Sequence, residues 1–146
     1  MQLPELSKLL NYKNAHVLAR YRKDFPENRL TAEEALTDLL KYFWLSQKHK
    51  QDCHNNPHDE SLKFTCSMHY EMKEMDDMWH TFLLFTKDYQ DFCQIYFGEY
   101  LHHVPETNNK LPELQRFEMD FRGYLSYIYD HLGEETVKRW FTSLLD

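Results

Sequence analysis

Asp76 and His80 stand four residues apart, a spacing that stacks two side chains on one face of an α-helix, one turn from each other. A carboxylate and an imidazole so placed can share a divalent metal ion. Alternatively, the carboxylate can hydrogen-bond one ring nitrogen and fix the tautomer of the other. Gly98 follows, and then His102 and His103 just before Pro105. Sequence neighbours in a regular backbone point in different directions, so one of these two imidazoles could close a site while the other braces it from outside. The candidate metal ligands are therefore Asp76, His80, His102 and His103. Two histidines and one carboxylate with open positions suit Zn, Fe or Mn, and water on such an ion can be activated for hydrolysis. The competing reading needs no ion. There the carboxylate holds a histidine, or a histidine packs on Trp79, and the motif locks a long helix to the turn at 98–105 in a structural or protein-interaction module.

The whole stretch from 76 to 105, DDMWHTFLLFTKDYQDFCQIYFGEYLHHVP, resembles the motif block of a family of small proteins named glycine-rich domain-containing, found in bacteria and as a repeated module in plants. In that family the block reads roughly DxVWHxHILDTxxYxxxCxxxFGxxxHHxP. Asp76, Trp79, His80, Leu84, Thr86, Tyr89, Cys93, Phe97, Gly98, His102, His103 and Pro105 match it. Phe82 stands where the family often has a second histidine, and Phe85 where it often has aspartate. The resemblance thus implies that any shell using those two polar residues is incomplete here. The glycine-rich tract is absent, because the only glycines are Gly98, Gly123 and Gly133.

Cys93 lies thirteen residues past His80, about 220° around a continuous helix, and joins the Asp76–His80 face only if the helix breaks near Thr86. Otherwise it is a small buried hydrophobe. A second cluster, Cys53, His54, His58, Cys66, Met68 and His69, contains one knuckle-like pair, Cys66 and His69. A closed tetrahedral zinc site normally pairs two tight knuckles, so solvated loop residues are the simpler expectation there.

The elements that must position these residues read as helices. Asn14 to Phe25 and Thr31 to about Lys50 carry amphipathic stripes, the second opened by a capping box, Thr31 with Glu34. Residues 51–66 are polar and aperiodic, as in a loop. Met72, Met75, Trp79, Phe82, Thr86, Tyr89, Cys93 and Tyr96 recur at three and four, the buried seam of a central helix. Unbroken from 70 to 97, that helix would run about 40 Å. Gly98 can end it. A fourth helix from about Pro112 to His131 and a fifth from Glu134 to Leu145, with Leu144 on its apolar side, complete an all-α bundle of about five helices in one domain spanning 1–146.

Composition narrows the function classes. Residues 1–50 carry a net charge of +3 and residues 51–146 a net charge of −10, so the motif-bearing part is acidic. Nucleic acid demands a basic stripe, and an anionic membrane surface repels acid; neither is an expected partner. A protein or a small molecule remains. No long apolar run or secretory leader is visible, and three cysteines are too few for a disulfide framework, which points to the cytoplasm. The expected core includes Trp79, Phe82, Tyr89, Phe43, Trp44, Phe121 and Trp140. Asp76 or Asp77 is expected within hydrogen-bonding reach of His80, His102 or His103.

Overall fold

A computed structural model describes residues 2–104 and 113–142; Pro105, Pro112 and Leu144 lie outside the described residues. Helix covers more than half of the chain, and among the described residues there is no strand. Seven α-helices are described: α1 (Leu6–Leu9), α2 (Ala15–Asp24), α3 (Ala32–Asn55), α4 (Lys73–Leu84), α5 (Thr86–Phe97), α6 (Leu114–Leu132) and α7 (Glu134–Trp140). Single 3-10 turns at Glu60–Leu62 and Tyr70–Met72 lie between α3 and α4. None of these helices is long and apolar enough to cross a membrane.

The count exceeds five for two reasons. A short α1 precedes the first amphipathic stripe, and the central seam is cut at Phe85, whose φ of −96° and ψ of 70° leave the helical region. In one straight helix Phe82 and Phe92 would stand about 15 Å apart. The cut instead folds α5 back on α4, so their ring centroids lie 5.3 Å apart and Phe82 meets Tyr89 edge-on at 4.9 Å. Burial of large rings on both sides of the break outweighs helical continuity.

Helix α3 is the axis against which α1, α2, α4 and α6 pack. It starts where the sequence indicates: the Thr31 hydroxyl accepts from the Glu34 N–H at 3.1 Å, and the Thr31 N–H donates to the Glu34 carboxylate at 2.9 Å. It ends later, at Asn55 rather than Lys50. The polar residues of its last turns are held by tertiary partners, since Asp52 takes both the Lys48 ammonium and the Tyr127 hydroxyl at 2.6 Å. At the other end, α7 is tied to α3 by Arg139, which donates to Asp38 at 2.9 Å and to Glu34 at 3.3 Å.

Trp79, Phe82, Tyr89, Phe43 and Trp140 are buried as expected. Trp44 and Phe121 are only partly so. The Trp44 indole N–H reaches outward to the Pro4 carbonyl at 2.9 Å, and Phe121 sits at the rim between Phe141 and His69. Gly123, in mid-helix, admits the ring of Phe64: a Cβ there would stand 3.0 Å from Phe64 Cδ2.

Two predictions follow from this packing. Gly123→Ala should lower the melting temperature rather than raise it, although alanine is favoured over glycine by about 1 kcal/mol in an open helix. Phe64 is wedged between His49 and Tyr127 and has little room to yield. A higher melting temperature would mean that the ring moves freely. The second concerns His69, whose ring lies among Phe121, Tyr124 and Phe141 and whose Nε2 is buried without a partner among the described residues. Burial pulls its pKa below the ordinary value, against weaker opposing pulls from Glu71 and Asp120. The unfolded chain therefore takes up the proton first as pH falls below about 6.5, and stability declines from there down to the folded-state pKa. His69→Phe should flatten the melting temperature between pH 7 and pH 5; an unchanged slope would assign the dependence to other groups.

Candidate metal centre

Helix α4 supplies two of the candidate residues from one face, as their spacing requires. The Asp76 Oδ2 atom stands 3.6 Å from His80 Nε2. The start of α4 is fixed by the neighbouring carboxylates. Glu74 accepts the backbone N–H groups of Arg29 and Leu30 at 3.0 and 2.8 Å. Asp77, buried, accepts from the Asn28 side chain at 3.1 Å and pairs with Lys73 at 3.6 Å. No spacing rule pointed to Glu74, because its partners are backbone groups of a distant turn.

His103 arrives from a different element. Helix α5 ends at Gly98, whose φ of 69° is left-handed and whose N–H caps the Gln94 carbonyl. The chain then runs back as an irregular strap over α4. Tyr89 pins it: its hydroxyl accepts from the Trp79 indole N–H at 3.0 Å and donates to the Leu101 carbonyl. Burial pushes the Tyr89 pKa far up, so the hydroxyl remains a donor. Two residues beyond that pin, the His103 ring lies 4.2 Å from the Trp79 ring and 4.7 Å from the His80 ring. Its Nε2 is 2.6 Å from Asp76 Oδ1.

One ligand atom from each of Asp76, His80 and His103 thus lies within 4.8 Å of the other two. Ligands on a common ion at about 2.0–2.2 Å sit roughly 2.8–3.6 Å from each other, the larger values in tetrahedral geometry. The 2.6 Å pair lies below that range and the 3.6 Å pair at its upper end, so side-chain rotation must open the first. The His103 and Asp76 side chains are 17% and 26% exposed, whereas His80 is 57% exposed, so the cluster has a floor of Trp79 and an open outer side. Two imidazoles and a carboxylate that face solvent in this way could hold a divalent ion and leave positions for water.

Of the four predicted residues the structure brings three together. His102 is exposed and its ring lies 4.7 Å from that of Tyr100, outside the cluster, in line with the alternation of exposed Tyr100 and His102 with more buried Leu101 and His103. Phe82 is fully buried and points into the core. Cys93 is likewise fully buried, beside Tyr89 and the Leu101 backbone N–H, and burial raises its thiol pKa. The helix does break near Thr86, yet Cys93 turns into the core rather than joining the cluster.

The loop residues do not assemble. His49 donates to the Leu62 carbonyl at 2.8 Å with Cys53 Sγ 3.4 Å from the same nitrogen, while burial pushes the Cys66 thiol up to about 12. His69 is enclosed by aromatic rings instead. Among the described residues, Asp76, His80 and His103 form the only such group close enough to hold an ion.

A protein-family model described as UCP032817-like matches residues 15–127, and the chain belongs to this uncharacterised family. The matched span runs from α2 into α6 and contains the whole cluster. Nothing in the match refers to a glycine-rich domain, so that resemblance rests on the motif residues alone. No curated protein and no solved structure matches the chain.

Proposed function

We propose that this protein binds one divalent metal ion, zinc, iron or manganese, through the Asp76 carboxylate and the His80 and His103 imidazoles, and that water at the open positions is activated for hydrolysis. The observation that carries this reading is the convergence of three ligand atoms, two from one turn of α4 and one from the strap, within 4.8 Å of one another. An ion held by three protein ligands lowers the pKa of a coordinated water towards about 7, which supplies a nucleophile at neutral pH. His102, on the opposite side of the strap, would then be an outer residue and not a ligand. The substrate class is a small molecule or a protein; a net charge of −7 argues against nucleic acid and anionic lipid. Free cysteines favour the cytoplasm as the working compartment.

A second reading has its own support. The 2.6 Å contact between Asp76 and His103 is a good hydrogen bond as it stands, and His103 already packs on Trp79. In that reading the motif braces the strap, performs no chemistry and presents a fixed surface to a protein partner.

Titration of the metal-free protein with zinc, iron(II) or manganese(II), followed by elemental analysis, should give about one equivalent of one of these ions, bound at Asp76, His80 and His103. His80→Ala should abolish that uptake while leaving the helical circular dichroism intact, since His80 is largely exposed. Stoichiometric metal in the variant would place the ion elsewhere. Asp76→Asn separates the two readings. With a chelator present, it should lower the melting temperature if the brace contributes, by the equivalent of about 1–2 kcal/mol for a charge-assisted bond that is partly exposed. With metal present, the wild type should gain stability by mass action that the variant lacks. No difference in chelator dismisses the brace, and no metal-dependent gain in the wild type dismisses the ion.

A further inference from the structure

The inference drawn here rests on the metal reading and extends it to a residue that touches none of the ligands. We infer that Tyr89 is the positioning residue of the metal site, its hydroxyl setting where His103 stands relative to Asp76 and His80 and thereby the affinity for the ion.

The site is built from two elements that are not continuous with each other, so its geometry depends on what joins them. Helix α4 carries Asp76 and His80 and, between them, Trp79. The strap carries His103 and no helical hydrogen bonds of its own. Tyr89 stands between the two: its oxygen takes the Trp79 N–H at 3.0 Å and gives its proton to the Leu101 carbonyl, two residues before His103. Trp79, Tyr89 and Leu101 are all buried, at 7%, 0% and 7% exposure, so water does not compete for these bonds. The Tyr89 ring cannot swing, because Phe82 meets it at 4.9 Å, Tyr100 at 5.2 Å and Phe43 at 6.3 Å. One oxygen atom therefore fixes the strap on the helix at the point nearest the third ligand. Partners hydrogen-bonded directly to metal ligands are typically worth roughly 10–100-fold in metal affinity, and a residue that acts one bond further out contributes less.

The Cys93 thiol lies beside the Tyr89 hydroxyl and the Leu101 backbone N–H. It is a second side-chain contact to the strap at Leu101, so the test includes its removal.

The experiment is a cobalt(II) titration of the full chain, read by visible absorption, with circular dichroism on the same samples. Tyr89→Phe deletes the hydroxyl and keeps the ring. Cobalt affinity should fall by up to roughly 10-fold and the ligand-field bands should shift, with the helical signal unchanged. Tyr89→Phe combined with Cys93→Ala should weaken cobalt at least as much. Trp79→Phe, which breaks the same chain at its other end, should act in the same direction and serves if the Tyr89 variant fails to fold. Tyr129→Phe, the deletion of an exposed hydroxyl on α6, should leave affinity unchanged. A folded Tyr89→Phe protein that binds cobalt as tightly and with the same spectrum as the wild type overturns the positioning role alone. A wild type that takes up no cobalt overturns the metal site and this role with it.

Discussion

The indole of Trp79 is where the core and the candidate site become one structure. Its ring packs edge-on against Phe43 at 5.0 Å and against Tyr42 at 5.8 Å, which places it in the wall between α3 and α4. The same ring carries His103 at 4.2 Å, and its N–H is consumed by Tyr89. A buried indole must spend its single donor on something, and here it spends it on the residue that holds the strap. Anything that rotates Trp79 within the core therefore shifts the support of one site residue and the backbone between two others. In this chain one ring serves both as a packing residue and as the support of a site residue.

Helical geometry explains why Asp76 alone among its acidic neighbours is left for chemistry. Glu74 and Asp77 are three apart and so share a side of α4, the side that meets the turn before α3. Both are committed there, Glu74 to two backbone N–H groups and Asp77 to Asn28 and Lys73. Asp76 lies roughly 100° from Asp77 and faces the strap instead. Its two oxygens then find two imidazoles, one from its own helix and one from the chain returning after Gly98. The cluster thus needs a helix start that is clamped by two carboxylates and a left-handed turn that reverses the chain.

Much of this could be read in the sequence and some could not, for reasons that lie in the type of interaction. The capping box at Thr31 and the left-handed stop at Gly98 are local, with both partners within a few residues, and each stands where its pattern indicates. The seam from Met72 to Tyr96 correctly names the buried face on both sides of Phe85, although Thr86 on that seam is exposed at the break. The break itself follows from rings on distant elements, Tyr12 and Phe43 among them, which the periodicity of one segment cannot encode. The same is true of the extra turns of α3, whose polar residues read as loop until Tyr127 is seen to hold Asp52. In the site, spacing gave the Asp76–His80 pair, but only the direction of the strap could decide between His102 and His103.

The short contact between Asp76 and His103 bears on how such a site could take up an ion. As a hydrogen bond it requires a proton on His103 Nε2; as a metal ligand the same nitrogen must offer its lone pair, so the ring would carry its proton on Nδ1 instead and the ion would take the place of that hydrogen bond. The Asp76 oxygen and the His103 nitrogen must also separate to admit the ion, given the roughly 2.8–3.6 Å between ligands on one centre. That movement cannot easily come from His103, which is held below by Trp79 and along the chain by the Leu101 carbonyl. It falls to the two side chains on α4. His80 is largely exposed and Asp76 partly so, and both can rotate without disturbing the core. The arrangement thus joins one fixed imidazole to two adjustable ligands, and the contact that braces the strap in the metal-free chain already holds Asp76 and His103 within about 1 Å of the spacing an ion requires.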